Sequence, residues 1–573
     1  RADGRATGTP GEAAAADWLA RAFARAGLVP DGTDGGWQHT FEFTAGVKLG
    51  PDNRLAIDDG PPEAGETWRP LAFSRSGTFD AAPVVFVGYG LVAAETEDAP
   101  AIDDFASVDV RGKWVLVFRD LPQTLAPERR RELQRHAGLR FKAMIARDRG
   151  ARGVLIASGP LGRFREELVP LRFDASLAGT SIATLSITDA IAERLLEGTG
   201  RSLEAWHHLA DETIKANEGG SISFSIGKRS VVASVDVQTE RREGRNVLGR
   251  LVVGDAPSGQ TIVIGAHYDH LGRGDGGNSL AGGEEAGLPH HGADDNASGT
   301  AVVVELAESL SARVERGENV GARDFVFAAW SGEELGLLGS NAWVGEAVNP
   351  HTNETGPVAY LNFDMVGRLR DGLVVQGLGS SPVWVNTVVA AATDTTLPLQ
   401  LQEDSYVPTD ATSFYTHGVP ALSAFTGNHA EYHTPRDTID RLNLDGTAKI
   451  TALFERIALA VGRAASAPAY TAQTDPSGGR GRGGFRVYLG TIPDYANTDV
   501  VGVKLSGVAP QGPAENGGLR GGDVIIGADG RPIENLYDYT FALEAMQVGE
   551  PVRLKVLRDG EAIDIEVVPA SRD

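Results

Sequence analysis

Histidine and acidic side chains cluster after strand-like runs in the middle of the chain. Eight of the twelve histidines lie between positions 267 and 433. In the run GAHYDH, His267 ends an apolar stretch and Asp269 follows two residues later. A histidine that binds a metal usually donates its other ring N–H to a carboxylate, so we predict His267 as a ligand and Asp269 as its partner. A lone histidine at such a place would more often be structural.

The first of two acidic pairs lies in the run GADDNASG, where Asp294 and Asp295 stand directly before a predicted helix at 298–312. Capping of that helix accounts for Asn296, but a cap does not need two neighbouring carboxylates. Because a carboxylate has two oxygens, it can bridge two cations. We predict that bridging role for Asp294.

The second acidic pair, Glu333 and Glu334, follows a predicted strand at 324–330. Considered alone, the pair is explained about equally well by helix capping. A metal hydrolase needs one carboxylate as a ligand and a free one to deprotonate the metal-bound water, and two neighbours can divide these tasks. Asp364 ends the predicted strand 358–364, where burial of an unpaired acid is costly, so it needs a charge partner or a metal.

Two further histidines occur in GNHAEYHTP, at His429 and His433. Their spacing resembles a helical H-E-x-x-H zinc site, but the Glu is at the third position and Pro435 follows directly. We therefore exclude a helical site. One of the two, preferably His433, is predicted to join the other ligands from a loop.

Composition narrows the chemistry of these groups. The chain of 573 residues has no cysteine, so any metal must be held by His, Asp or Glu. Histidines and carboxylates at five strand or loop ends suit two zinc-like ions that share a carboxylate, polarise a carbonyl and activate water. No G-x-S-x-G motif occurs, which disfavours a serine hydrolase.

The net charge of the chain limits the classes of molecule that it can bind. The 77 acidic and 53 basic residues give a formal net charge of −24, which argues against nucleic acid or an anionic membrane surface as the main partner. No apolar run reaches the 18 or more residues of a membrane-spanning helix. The chain starts with neither a signal peptide nor an initiator methionine. We expect an exported protein, periplasmic or extracellular, whose signal has been removed.

The order of predicted elements indicates the architecture. Strand-like and helix-like runs alternate between 261 and 465, which predicts an α/β fold with a mostly parallel (mixed) sheet flanked by helices. Sites in such sheets lie beyond the carboxyl ends of the strands. From residue 81 a compact β-rich or α/β module is predicted, with one polar helix at 128–149. A predicted linker, 469–484, precedes a small β-rich domain.

Five ordered motifs resemble the M28 family of di-zinc peptidases, chiefly aminopeptidases: GAHYDH, GADDNASG, WSGEELGLLGS, NFDMVGR and HAEYHTPRDT. The opening GTPGEAAAADWLARAFARAGL resembles the N-terminal helix of that family. The resemblance implies a zinc exopeptidase-like domain at 1–70 and 229–468 that binds two Zn²⁺ ions and hydrolyses the N-terminal bond of peptides through a bridging water.

The resemblance also implies a role for each site residue. Asp294 would bridge the zinc ions, with Asp295 as the residue after the bridge. One zinc would be completed by His267 and Asp364, the other by Glu334 and His433. Glu333 would be the general base, Asp269 the partner of the first histidine, and Tyr432 a hydroxyl that stabilises the oxyanion.

Two other segments resemble known domains. Residues 71–228, with VVFVGYG and RGKWVLVFRD, resemble a protease-associated (PA) domain. Residues 485–571 resemble a PDZ domain in which YLGTI would bind the carboxylate of a peptide C-terminus or an extended segment. A structural appendage without a ligand is an equal alternative for that tail. For the whole chain the alternatives are an M28-type carboxypeptidase, dipeptidase or cyclase, and a non-catalytic peptide-binding protein on a peptidase fold.

Overall fold

The computed structural model describes residues 3–95, 100–134, 136–165, 167–171, 182–216, 220–275, 278–348, 355–473, 487–493, 500–508, 512–546 and 548–571. The chain divides into two compact units. The first comprises Arg1–Phe43, Arg241–Ile533 and Thr540–Asp573, and the second comprises Thr44–Glu240 with Glu534–Tyr539. Within the described segments, no helix has the length and hydropathy that crossing a membrane requires.

The first helix, α1 (Pro10–Arg25), forms from a capped amphipathic sequence. The side chain of Thr9 accepts a hydrogen bond from the backbone N–H of Glu12, and a proline at the first helical position needs no donor there. Leu19 and Phe23, one turn apart, are buried in the core. The predicted N-terminal helix is therefore present, and two strands follow it, β1 (Val29–Pro30) and β2 (Gln38–Leu49).

A seven-stranded sheet organises the second unit, in the order β3-β11-β5-β8-β9-β10-β4. Its four inner strands from β5 to β10 run parallel to one another. The elements of this segment are β3 (Arg54–Ile57), β4 (Trp68–Pro70), β5 (Gly77–Val87), β6 (Val92–Ala93), β7 (Ile102–Asp103), β8 (Trp114–Phe118), α2 (Pro127–Gln134), α3 (Leu139–Asp148), β9 (Gly153–Ala157), β10 (Ala183–Ile187), α4 (Asp189–Leu196), α5 (Leu203–Ala216) and β11 (Ser223–Val235).

Two expectations for this unit differ from the structure. The predicted boundaries at 71 and 228 fall inside it, because β4 pairs with β10 and β3 pairs with the last part of β11. The predicted helix at 128–149 is two helices, α2 and α3. Gly138, at the N-cap of α3, has φ −57° and ψ 137°, which is not helical.

The first unit contains a nine-stranded sheet with the order β1-β12-β14-β13-β15-β18-β16-β17, and β2 pairs with β12. The pairs among β14, β13, β15 and β18 are parallel, whereas β12 and β16 pair antiparallel with this centre. The elements are β12 (Val237–Leu251), β13 (Gln260–His267), α6 (Gly299–Glu315), β14 (Asp324–Trp330), α7 (Leu338–Ala347), β15 (Gly356–Phe363), β16 (Leu373–Gln376), α8 (Trp384–Ala391), β17 (Leu399–Leu401), α9 (Asp410–Thr416), β18 (Ala421–Phe425) and α10 (Leu444–Arg463).

Helices cover both faces of this sheet. Ile262 and Ile264 of β13 belong to the core that α1, α6, α8 and α10 complete. Val263, between them, points to the other face and packs in the core that includes Val344 of α7 and Phe414 of α9. Since β13 is buried on both faces, its sequence is a continuous apolar run rather than an alternating one. The predicted mixed sheet flanked by helices is confirmed.

The C-terminal residues form sheets of their own, in the order β20-β21-β22-β24-β25 with β23 on β22, and a separate β19–β26 pair. The elements are β19 (Val487–Tyr488), β20 (Thr491–Pro493), β21 (Val503–Val508), α11 (Pro513–Gly517), β22 (Val524–Ala528), β23 (Arg531–Pro532), α12 (Leu536–Ala545), β24 (Val552–Arg558), β25 (Glu561–Val567) and β26 (Ala570–Ser571). The predicted linker lies outside the described residues from 474 onward. Its first residues are bound to the first unit, since the N–H of Thr471 donates to the carbonyl of Ser380.

Candidate metal centre

Three parallel strands bring their carboxyl ends to one edge of the nine-stranded sheet. β13 ends at His267, which pairs with Trp330 at the end of β14, and β15 ends one residue before Asp364. The turn after β14 carries Glu333. Because parallel strands end at the same edge, side chains that are far apart in sequence meet in one place.

His267 is buried, and its two ring nitrogens face different groups. Nε2 lies 3.3 Å from Oδ1 of Asp295 and 3.4 Å from Oδ1 of Asp364. Nδ1 lies 3.3 Å from the backbone oxygen of Asp269 and 3.7 Å from its carboxylate. That carboxylate accepts a hydrogen bond from the backbone N–H of Glu333. Asp269 thus contacts the His267 ring through its backbone and holds the turn of Glu333 through its side chain.

Asp295, and not Asp294, lies between the histidines. Its Oδ1 faces His267, and its Oδ2 lies 3.3 Å from Nε2 of His433. The Asp294 carboxylate points elsewhere, since its Oδ1 accepts a hydrogen bond of 2.6 Å from the N–H of Gly367. The structure contradicts the predicted bridging role of Asp294, because neighbouring side chains leave this turn in different directions and that of Asp295 reaches both rings.

Side chains distant in sequence hold the turn that carries Asp295. The carboxylate of Asp437, fully buried, accepts hydrogen bonds from the backbone N–H groups of Asp294 at 2.8 Å and Asp295 at 3.0 Å. Asn296 donates from Nδ2 to the carbonyl of Phe363, the residue before Asp364. Its Oδ1 accepts from the N–H three residues ahead, which is the capping contact expected for it.

Arg5 is a further support that the sequence did not indicate. Its guanidinium donates to three backbone carbonyls, those of Tyr268, His291 and Gly292. It therefore ties the segment after β13 to the segment before Asp295. No local pattern signals this role, because the partners lie more than 260 residues away.

His433 is the second histidine that faces the carboxylates. Its Nε2 lies 3.2 Å from Oε2 of Glu334, and its Nδ1 lies 2.8 Å from the backbone oxygen of Asn278. A carbonyl only accepts, so Nδ1 carries the hydrogen and Nε2 is left for the carboxylates. Burial lowers the pKa of His433, but Asp295 and Glu334 outweigh burial and raise it to about 10. His429, the alternative, lies instead 3.3 Å from Asp294.

Glu333 stands beside this cluster, with Oε2 3.9 Å from Nε2 of His267. Burial, together with the charges of Asp364 and Asp410, raises its pKa well above the usual range despite His267. A carboxylate with raised pKa accepts a proton more readily near neutral pH, which a general base requires. Asp410 itself is buried, and its own burial raises its pKa to about 7.

Tyr432 borders the cluster. Its ring stacks on the ring of His433 with centroids 3.8 Å apart. Burial and the neighbouring carboxylates, first those of Asp295 and Glu334, raise the pKa of its hydroxyl. The hydroxyl therefore stays protonated at neutral pH and is available as a hydrogen-bond donor.

The spacing of the histidine nitrogens and carboxylate oxygens fits divalent metal. Four of these contacts measure 3.2–3.4 Å, longer than an ordinary hydrogen bond of about 2.9 Å. A tetrahedral zinc with bonds of about 2.0–2.1 Å separates its ligand atoms by roughly 3.3 Å. Among the described residues, two groups that could each hold an ion share Asp295: His267, Asp295 and Asp364, and His270, Asp295 and Glu334. His270 was not among the predicted site residues.

Comparisons with known proteins fit this arrangement. Peptidase family M28 matches residues 246–458, and the PDZ domain matches residues 484–568. Aminopeptidase NAALADL1 of Mus musculus is 30% identical over 171 residues, which cover 30% of this chain and 20% of that protein. Leupeptin-inactivating enzyme 1 of Streptomyces exfoliatus is 27% identical over 236 residues, which cover 38% of this chain and 48% of that enzyme. The chain thus spans half or less of these relatives.

Among solved structures, an aminopeptidase from Aneurinibacillus sp. strain AM-1 aligns with 82% of this chain and 92% of its own, with a TM-score of 0.43 and 20% identity. The matched family segment carries the histidines and carboxylates of the metal cluster. Residues 246–458 therefore belong to peptidase family M28, and residues 484–568 form a PDZ domain.

Proposed function

We propose that the chain is a zinc-dependent aminopeptidase that hydrolyses the N-terminal peptide bond of peptides. The observation that carries the proposal is that Asp295 faces His267 with one carboxylate oxygen and His433 with the other, with Glu333 beside His267. Asp295 would contact two ions whose other ligands are His267, Asp364, Glu334 and His433. Bound zinc polarises the scissile carbonyl and lowers the pKa of a coordinated water.

Glu333 would act as the general base. It would take a proton from the attacking water, a step that its raised pKa favours, and return that proton to the leaving amine. The carboxylate of Asp269 keeps the backbone of Glu333 in place by accepting a hydrogen bond from its N–H. The protonated hydroxyl of Tyr432 would donate to the oxyanion that forms on the carbonyl oxygen.

The charge of the site favours an amine-bearing substrate end. Besides the proposed ligands, the carboxylates of Glu333, Asp269 and Asp410 lie around it. A carboxypeptidase needs a cation to bind the substrate carboxylate. Arg5 and Arg368, which bond to the loops of the cluster, are engaged with protein carbonyl and carboxylate oxygens. A positively charged α-amine therefore suits this pocket better than a carboxylate.

A panel of three matched peptides tests the proposal, one with free ends, one N-acetylated and one C-terminally amidated, each with and without a chelator. We expect cleavage of the free and amidated peptides, loss of cleavage on acetylation, and loss of all activity with the chelator. Cleavage indifferent to acetylation would overturn the aminopeptidase assignment. Cleavage lost on amidation would indicate a carboxypeptidase, and zinc binding without any cleavage would indicate a peptide-binding protein.

We further propose that the PDZ domain binds an extended peptide segment. Its strand β20 carries the last residues of YLGTI and pairs with β21, and PDZ domains bind an extended peptide by adding a strand to the edge of a sheet. The test is fluorescence polarisation of labelled peptides with the full chain. Weaker binding of C-terminally amidated peptides would support the carboxylate-binding role of YLGTI, and no binding would favour the structural appendage. The PA assignment of 71–228 and export from the cytoplasm stay predictions.

A further inference from the structure

A third histidine lies at the metal cluster, at His270. It is 2% exposed, and its Nδ1 lies 2.7 Å from Oε1 of Glu334. The other oxygen of that carboxylate, Oε2, lies 3.2 Å from Nε2 of His433. The two oxygens of Glu334 therefore face two different imidazoles.

The distances separate the roles of these two histidines. The His433 contact is close to the roughly 3.3 Å that separates two ligands of one tetrahedral zinc. The His270 contact of 2.7 Å is a hydrogen bond between a ring N–H and a carboxylate. From Oδ2 of Asp295, Nδ1 of His270 is 3.8 Å away, farther than two ligands of one such ion. Because a carboxylate oxygen only accepts, Nδ1 of His270 carries the hydrogen.

Packing fixes the His270 ring in this orientation. A β-carbon at Gly292 would lie 2.6 Å from Cδ2 of the ring, so the backbone there presses directly on the imidazole. The backbone N–H of His270 donates to the carbonyl of Arg5. Its Nε2 is buried and has no hydrogen-bond partner in the described part of the chain. The contact with Glu334 is thus the hydrogen bond that this ring makes with its surroundings.

We propose that His270 is a positioning residue, whose Nδ1–H holds Oε1 of Glu334 so that Oε2 is directed at the metal ion next to His433. The inference rests on the proposed metal site but not on the identity of the peptide substrate. Partners that orient metal ligands typically contribute 10- to 100-fold to metal affinity. Nδ2 of Asn278 also contacts this carboxylate, at 3.4 Å from Oε2. Without the shorter His270 bond the carboxylate would be held less tightly and could turn either oxygen toward the ion.

Two substitutions distinguish an effect of the hydrogen bond from an effect of side-chain size. His270→Asn places an amide N–H near the position of Nδ1, whereas His270→Gln places it near the position of Nε2. We expect Gln to weaken one of the two zinc-binding steps 10- to 100-fold and to leave the other unchanged. The zinc affinities of His270→Asn should stay within about threefold of those of the unsubstituted protein. His291→Asn, at an exposed histidine nearby, is the matched control and should change neither step.

The measurement is zinc titration of the metal-free full chain in competition with a chromophoric chelator, which needs no substrate. The melting temperature of each metal-free variant, compared with that of the unsubstituted protein, reports folding. Equal affinity of the Gln variant and the unsubstituted protein would overturn the proposal, and so would equal loss in the Asn and Gln variants. If the unsubstituted chain binds two zinc ions but cleaves no peptide, the proposed function fails while the role of His270 stands.

Discussion

Replacement of Asp437 by alanine tests how the cluster is held. Asp437 is fully buried and is not a proposed ligand, yet its carboxylate accepts from the backbone N–H groups of Asp294 and Asp295. Asp437→Ala leaves both buried N–H groups unpaired, and each costs about 1–3 kcal/mol. It also removes the acceptor of a 2.9 Å hydrogen bond from Arg368. We therefore expect the free energy of unfolding to fall by ~2–6 kcal/mol.

The assay is differential scanning calorimetry of the metal-free chain followed by zinc titration. At roughly 2–4 °C per kcal/mol, the transition of the peptidase unit should fall by roughly 4–24 °C. Zinc affinity should fall as well, because the backbone that presents the Asp295 carboxylate is loosened. Glu431→Ala is the matched control, since Glu431 also pairs with Arg368 but contacts neither amide. A transition within 2 °C of that of the unsubstituted protein, with zinc affinity retained, would show that Asp437 does not hold this turn.

Three further predictions follow from the site and from the second unit. Glu333→Gln should retain two zinc ions by elemental analysis and lose roughly 10²-fold or more in turnover, and substantial activity would exclude Glu333 as the base. Asp295→Asn should lose zinc from both sites, whereas Asp294→Asn should keep two ions per chain; the reverse result would restore Asp294 as the bridge. Burial lowers the pKa of Lys142 from 10.5 to about 7. Between these pH values the unfolded chain therefore binds a proton that the folded chain lacks. The free energy of unfolding should then rise with pH by up to ~1.4 kcal/mol per pH unit. In urea unfolding of Lys142→Met at pH 7.5, 8.5 and 9.5, the free energy of unfolding should rise less steeply with pH than in the unsubstituted protein. An unchanged slope would contradict the lowered pKa of Lys142.

The centre of the fold was predictable because burial on both faces leaves a clear sequence pattern. The strand predicted at 324–330 coincides with β14, which is buried along its whole length. The strand that ends at His267 is likewise buried, from Thr261 onward. Parallel pairing then places the ends of β13, β14 and β15 at one edge, which is sufficient to bring His267, Glu333 and Asp364 together.

The direction of side chains in turns was not predictable. Asp294 and Asp295 are chemically identical neighbours, and no periodicity decides which of them faces the rings. The helix after β14 begins only at Leu338, because Gly336 and Leu337 both have positive φ and keep Glu333 and Glu334 in a turn.

Long-range contacts left no sequence signal either. Asp437 lies 142 residues from Asp295, and Arg5 lies more than 260 residues from its carbonyl partners. The limits of the second unit depend on such contacts too. The short strand β4, ahead of the predicted boundary at 71, joins the sheet by pairing with β10 more than 110 residues later. Spacing along the chain could not reveal any of these contacts.

Anomalous diffraction from crystals of the zinc-loaded protein, measured on both sides of the zinc absorption edge, tests directly whether two ions share the Asp295 carboxylate. We predict two anomalous peaks about 3.5–4 Å apart, each within about 2.2 Å of a different oxygen of Asp295. One peak should also contact His267 and Asp364, and the other Glu334 and His433. A single peak, or two peaks that do not share the Asp295 carboxylate, would show that Asp295 does not bridge two zinc ions.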